Sequence, residues 1–374
     1  MPARAWTRRV GHRLRREPLL LGFGVATLVL GLADPRPWPA WRAWMNLPTL
    51  LGLTALFLSI EAINVSGLAQ RAADRLVGRC ANARVLALAL VLGAAVASTV
   101  LTNDVALLLV VPLTVALGRV SSLPVLRLVI FEAFAVNAGS TLSPIGNPQN
   151  LLLWQHSGLS AADFVARMAP AAAAMFALLL PAVVLGFPAG GLDRGGGAPT
   201  PVRIRLGVGA VTCLVAVVLL LQWHRPGAAA GLAALFCLLA APEVPRRLDW
   251  ALLATFLVMF LALGHAAALP ALQPLWRADW LRQPAGLYIA AIALSQAISN
   301  VPAAVLLVHG GADPMRLAVA VNVGGFGLAL GSLANLIALR LVRTEGGLAA
   351  FHRWSVPFLL ACAPLVWWVG TWAG

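Results

Sequence analysis

The chain alternates long apolar runs with short polar gaps. Apolar stretches begin near residues 18, 47, 83, 104, 124, 165, 206, 228, 250, 287, 315 and 355. One bilayer crossing takes about 20 such residues. The pattern predicts an all-α polytopic membrane protein with about ten transmembrane spans, and its gaps leave no room for a soluble domain.

Four places break the pattern. Two short polar tips interrupt apolar hairpins: Thr102-Asn103-Asp104, and Ser299-Asn300-Val301-Pro302. Two longer segments rich in Gly, Pro, Asn and Ser interrupt apolar runs: Ser140 to Asn150 (STLSPIGNPQN) and Gly324 to Asn335 (GGFGLALGSLAN). Unsatisfied backbone groups in hydrocarbon cost several kcal/mol each, so irregular chain is tolerated only where protein or a wet cavity surrounds it.

The breaks come in matched pairs. Ser98, Thr102, Asn103 and Ala106 pair with Ser295, Ser299, Asn300 and Ala303 at one offset of 197 residues. Asn137, Gly139, Gly146, Asn150 and Leu151 pair with Asn322, Gly324, Gly331, Asn335 and Leu336 at an offset of 185. Asn and Gly are costly inside spans, so their recurrence in order indicates a duplication. Counting crossings, the first copy starts inside and the second outside, so the halves are inverted. The expected organisation is a cytoplasmic basic N-terminus (1–17) and a first inverted repeat (18–187, hairpin 83–118, broken helix 124–156). A cytoplasmic loop and linker span (188–223) and a second inverted repeat (224–374, hairpin 286–309, broken helix 315–339) follow. Inverted repeats with helices broken at midplane are typical of secondary transporters.

Charge then fixes orientation. Charged residues are only 11% of 374 positions, against about 25% in soluble domains. The net charge of +14 comes from arginine, with no lysine. With the N-terminal arginines inside, only Arg36, Arg42, Arg167, Arg225, Arg277, Arg282 and Arg316 fall outside, which is the positive-inside bias. The basic balance therefore needs no nucleic-acid partner. The basic stretch before residue 18 resembles a signal peptide, but no small-residue cleavage site follows and an uncleaved first span is expected. The four cysteines form no CxxC pair and read as apolar filler. His265 and His309 read as packed or interfacial residues. Trp38, Trp41, Trp276 and Trp280 read as an interfacial aromatic belt.

At a break, free N–H groups at a half-helix N-terminus suit an anion, and free carbonyls suit Na⁺. Acids inside the membrane cost roughly 2.5–3.5 kcal/mol and usually carry ions or protons. Asp104, at a tip, is the leading coupling residue. Glu61 and Glu132 are further coupling candidates, with structural polar pairing as the alternative for each.

These motifs resemble the ion transporter superfamily. That group includes divalent-anion/sodium symporters, citrate–metal symporters, arsenite efflux permeases and one branch of sodium/proton antiporters. The resemblance covers about residues 18–373. It implies a scaffold and a transport domain, elevator-like movement and a homodimer. Carried over, the substrate and ion site would include Thr102, Asn103, Asp104, Ser143, Gly146, Asn147, Pro148, Gln149, Asn150, Ser299, Asn300, Gly331, Ser332 and Asn335. The tips depart from the Ser-Asn-Thr of dicarboxylate symporters and look more like the arsenite permease branch. The resemblance implies a transporter for a small anionic solute in a bacterial inner membrane, with no cofactor beyond coupling Na⁺ or H⁺. A Na⁺/H⁺ antiporter is the second reading. An intramembrane enzyme is the third, and no HExxH, GxSxG or protease Asp pair supports it.

Overall fold

The computed structural model describes residues 17–79, 82–191, 201–272, 274, 278–342 and 344–372. Most of the basic N-terminus, Cys80, Arg194, Trp276, Arg277, Arg343 and the side chain of His309 lie outside the described residues. Along the chain come α1 (Pro18–Ala33), α2 (Trp38–Trp44), α3 (Leu47–Ser66), α4 (Leu68–Arg79), α5 (Ala83–Val100) and α6 (Asn103–Val120). Then follow α7 (Val125–Thr141), α8 (Pro148–Ser157), α9 (Ala161–Gly186), α10 (Ile204–Gln222), α11 (Pro226–Ala240), α12 (Val244–Arg247) and α13 (Trp250–Ala267). The last are α14 (Pro284–Ile298), α15 (Asn300–His309), α16 (Pro314–Val323), α17 (Leu333–Val342) and α18 (Gly347–Trp372). Among the described residues, seven helices are long and apolar enough to cross a membrane alone: α3, α5, α6, α9, α10, α13 and α18. Shorter apolar helices accompany them. The chain is an all-helical polytopic membrane protein.

Two compact units form, Met1–Val65 with Ile204–Leu275 and Ser66–Arg203 with Trp276–Gly374. They cut across the expected halves, because each unit takes a segment from either half.

In the first unit α1 packs on α13, and Thr27 donates to the Val258 carbonyl at 3.0 Å. Trp44 fills the space beside Gly264, where a Cβ would lie 2.5 Å from the indole Cγ. His265 is fully buried between Trp41 and Trp44, at ring distances of 5.3 and 4.9 Å. Its Nε2 lies 3.2 Å from Asp34, which Arg36 holds at 2.7 Å. The Arg36 guanidinium keeps the Asp34 carboxyl below the usual carboxylate range. Along α10, exposed Ile204, Val208, Val211, Val215 and Leu219 recur every three or four residues, so one stripe of the helix is apolar and faces outward. Such a surface suits lipid.

The second unit is built around α7. Every residue from Leu128 to Thr141 is buried, which is the behaviour of a helix with neighbours on all sides. Phe134 on α7 anchors an aromatic core, stacked on Phe358 at 4.9 Å and edge-on to Phe131, Phe326 and Phe351. The amphipathic α4 buries Ala73 and Val77, one turn apart, and packs on α6, leaving Arg71 and Arg75 exposed.

The interruptions fall where the sequence locates them. Leu101 and Thr102 join α5 to α6. Ser299 alone joins α14 to α15, in the left-handed region at φ +74, a conformation a β-carbon makes uncommon. Residues 142–147 separate α7 from α8, and 324–332 separate α16 from α17, with a 3-10 turn at Ala329–Gly331.

Candidate functional site

The first tip and the first break meet. Thr102 caps α6, accepting from the Val105 N–H at 3.4 Å. The Asn103 N–H donates to the Gly146 carbonyl at 2.8 Å, and the Asn103 side chain donates to Asn137 at 3.4 Å. Asn147 caps α8 by accepting from the Asn150 N–H at 2.8 Å, and Pro148 occupies the first helical position, where its missing N–H costs nothing. The Asn150 amide donates to the carbonyls of Ser140, Thr141 and Ser143 at 3.0–3.1 Å. One buried carboxamide thus brings its two N–H groups within hydrogen-bonding distance of three carbonyls around the break.

A ladder of buried amides then joins the breaks. Asn322 donates to Asn150 at 2.6 Å, and Asn137 donates to Asn335 at 3.1 Å. Asn147 donates to Asn322 at 2.9 Å, and Ser332 donates to Asn137 at 3.1 Å. Asn150 donates to the Ser140 carbonyl at 3.0 Å, and Asn335 to the Gly325 carbonyl at 2.9 Å. In each pair the second bond is the first one shifted by 185 residues, with the halves exchanged. The helices behave alike: α6 packs on α17, and α15 packs on α8. The glycines repeat the pattern, Gly139 against Ser98 and Gly324 against Ser295. Asn300, from the second tip, lies against Gly325 beside Asn137.

Several buried polar atoms have no hydrogen-bond partner: Asp104 Oδ1, both amide atoms of Gln149, and Ser299 Oγ. Each belongs to a helix start (α6, α8 and α15), where the macrodipole carries roughly half a positive charge. An unpaired buried polar group costs about 1–3 kcal/mol, so each of these atoms carries hydrogen-bonding capacity that the fold leaves unmet.

The other expected site residues sort themselves. Ser143 accepts from the Ile145 N–H at 3.3 Å, Gly331 and Ser332 are buried on the second break, and Pro148 is exposed. Glu132 is fully buried on α7, with Thr114 donating to one of its oxygens, and its other oxygen has no partner. Glu61 belongs to the first unit, where Asn64 donates to it at 3.3 Å.

The residues holding the second break escaped the site reading. Gln296 on α14 accepts from the Leu328 N–H and donates to the Gly324 carbonyl, both at 2.7 Å. His352 on α18 accepts from the Ala329 N–H at 3.0 Å, and Ser355 donates to the Gly327 carbonyl. Asn137 and Asn322 served only as markers of the repeat, although their spacing to the breaks was the signal.

Residues 7–315 match the citrate transporter family model. The chain belongs to the citrate transporter family. It is similar to the inner membrane protein YbiR of Escherichia coli, with 43% identity over 360 residues and 94% of each chain covered. An uncharacterized transporter of Methanocaldococcus jannaschii is 32% identical over 251 residues, 65% of this chain and 67% of the relative. A protein named arsB in Dictyostelium discoideum is 25% identical over 141 residues, 37% of this chain and 24% of that one. The chain is a membrane transporter of this family.

Proposed function

We propose that this transporter is a secondary carrier of a small anion or oxyanion, coupled to H⁺ or Na⁺, and that its two breaks and two tips form the solute site. The observation that supports this most is the amide ladder together with the unpartnered atoms of Asp104, Gln149 and Ser299 beside helix starts. The reciprocal bonds support a two-fold-related duplication, since exchange of partners at one offset is what such an arrangement produces, and the count of crossings makes it an inverted one. Arsenite-like, carboxylate and inorganic anions are the substrate classes to test.

Asp104 would supply the coupling. Its carboxylate repels an anion bound nearby until H⁺ or Na⁺ neutralises it. The site's confinement to one unit favours that unit moving as a body. The bacterial inner membrane is the proposed location, as for the Escherichia coli relative, with the N-terminus in the cytoplasm on the arginine distribution.

The test is flux in proteoliposomes. Uptake of labelled arsenite, citrate or an inorganic anion that follows a pH or Na⁺ gradient supports the proposal. Na⁺-dependent proton movement with no anion movement favours an antiporter, a reading to which Asp104 also lends itself. No flux of either kind sinks both.

A further inference from the structure

The two breaks are held differently. The first is held largely from within: Asn150 donates to its carbonyls and Asn147 caps its helix, with the Asn103 N–H of α6 adding a bond to the Gly146 carbonyl. The second draws on two other helices. Gln296 of α14 clasps Leu328 and Gly324, while Ser355 and His352 of α18 hold Gly327 and Ala329. Gly327 sits at φ +93, and a Cβ there would lie 2.5 Å from Gln296 Oε1, so the clasp closes directly on the backbone.

One of these four bonds depends on a proton. A backbone N–H can only donate, so the 3.0 Å bond from Ala329 requires a lone pair on His352 Nε2. An imidazolium has two N–H groups and no lone pair to offer. We infer that His352 is a positioning residue for the second break, and that it holds the break only while Nε2 is unprotonated. This rests on the reading of the breaks as the solute site. Ala329 opens the turn that leads to Ser332 and Asn335, whose bonds to Asn137 and Gly325 complete the ladder. Protonation frees the Ala329 end of that turn, while the Gln296 and Ser355 contacts remain.

Charged groups occur on each of the helices packed on α18. The helices packed on α18 carry Arg127 and Glu132 on α7, Asp163 and Arg167 on α9, Arg316 on α16 and Arg340 on α17. Arg353 is on α18 itself, and Glu345 lies in the loop before it. Arg127 donates to the Gly186 carbonyl and covers the Trp354 ring, and Glu132 is bonded to Thr114. Among the described residues, the partner of the imidazole is the Ala329 N–H. The ring lies against Phe351, 5.8 Å between centres.

Hydrogen–deuterium exchange of the full-length protein in liposomes tests this without knowledge of the substrate. The peptide covering Gly327 to Ser332 is followed at about pH 5 and pH 8, on either side of the ordinary histidine range, with rates corrected for intrinsic exchange. The wild type is expected to lose about two- to tenfold protection at the acid end, the size of one hydrogen bond. His352→Gln keeps an acceptor at similar reach and has no proton to gain, so its protection should not change with pH. His352→Ala should be poorly protected at both. Equal protection of the wild type at both pH values overturns the inference, as does a His352→Gln variant that loses protection in acid like the wild type. If Asn150→Ala and Asn322→Ala leave uptake of labelled arsenite and citrate unchanged while this exchange pattern holds, the site reading falls and the role of His352 stands.

Discussion

Asn322 donates to Asn150 at 2.6 Å, and the same bond recurs between Asn137 and Asn335 at 3.1 Å, each residue moved by 185 positions and the two halves exchanged. All four side chains are almost fully buried. Away from water, a carboxamide left single costs about 1–3 kcal/mol, so each asparagine holds its partner in place.

Asn322→Ala should therefore destabilise the protein by about 1–3 kcal/mol, because Asn150 keeps a buried oxygen with no donor. The double variant with Asn150→Ala should cost less than the sum of the two singles, by about 0.6–2 kcal/mol. Reversible unfolding in mixed micelles measures both. Strict additivity would show that the bond contributes nothing.

Asp104→Asn should separate folding from coupling. The carboxylate is partly buried with one oxygen unpartnered, so an amide there removes a charge and breaks no hydrogen bond to that oxygen. Stability should stay within about 1 kcal/mol of the wild type, as for substitutions that break no contact. Anion uptake in liposomes should lose its dependence on the cation gradient. A variant with unchanged cation dependence rules out Asp104 as the coupling acid.

Gln149 gives the opposite signature. Both its amide atoms are buried and unpartnered, so Gln149→Leu, of similar shape, should leave the empty protein as stable or more stable. Uptake of the transported anion should fall markedly. Lowered stability with unchanged uptake would assign the residue to packing.

The glycine pairs predict different rescues. In Gly324→Ala the new carbon would come within 2.6 Å of both Cβ and Oγ of Ser295, an overlap worth about 1–3 kcal/mol. Ser295→Gly removes both atoms and should restore much of the loss. In Gly139→Ala the carbon meets the Ala95 carbonyl as well as Ser98. Ser98→Gly should give little relief there, because backbone blocks the site. Thermal unfolding of the four variants and two doubles checks the contrast.

Much of this was legible from local chemistry. The apolar runs and their polar interruptions locate both hairpins and both breaks to within a few residues, because Pro, Gly and Asn cannot hide in a span. Asn137 and Asn322 stood out only as equivalent positions of the duplication, and their bonds to Asn335 and Asn150 were not legible. Gln296, His352 and Ser355 were not, since each sits within an ordinary apolar helix and meets its break 23 to 32 residues away in sequence. Glu61 looked like its fellow acids Glu132 and Asp104, yet it belongs to the other unit. A lone acid in an apolar run does not say which unit its helix joins.

The unequal anchoring of the two breaks separates maintenance from adjustment. Changing the first break means changing residues that also form the amide ladder. The second break is gripped, besides the Asn335 bond to Gly325, by side chains that are no part of that ladder, on helices with their own packing. On the proposed reading, exchanges at Gln296, His352 or Ser355 alter one wall of the site while its central lattice of asparagines stays intact, which gives carriers of common descent a way to diverge in what they accept.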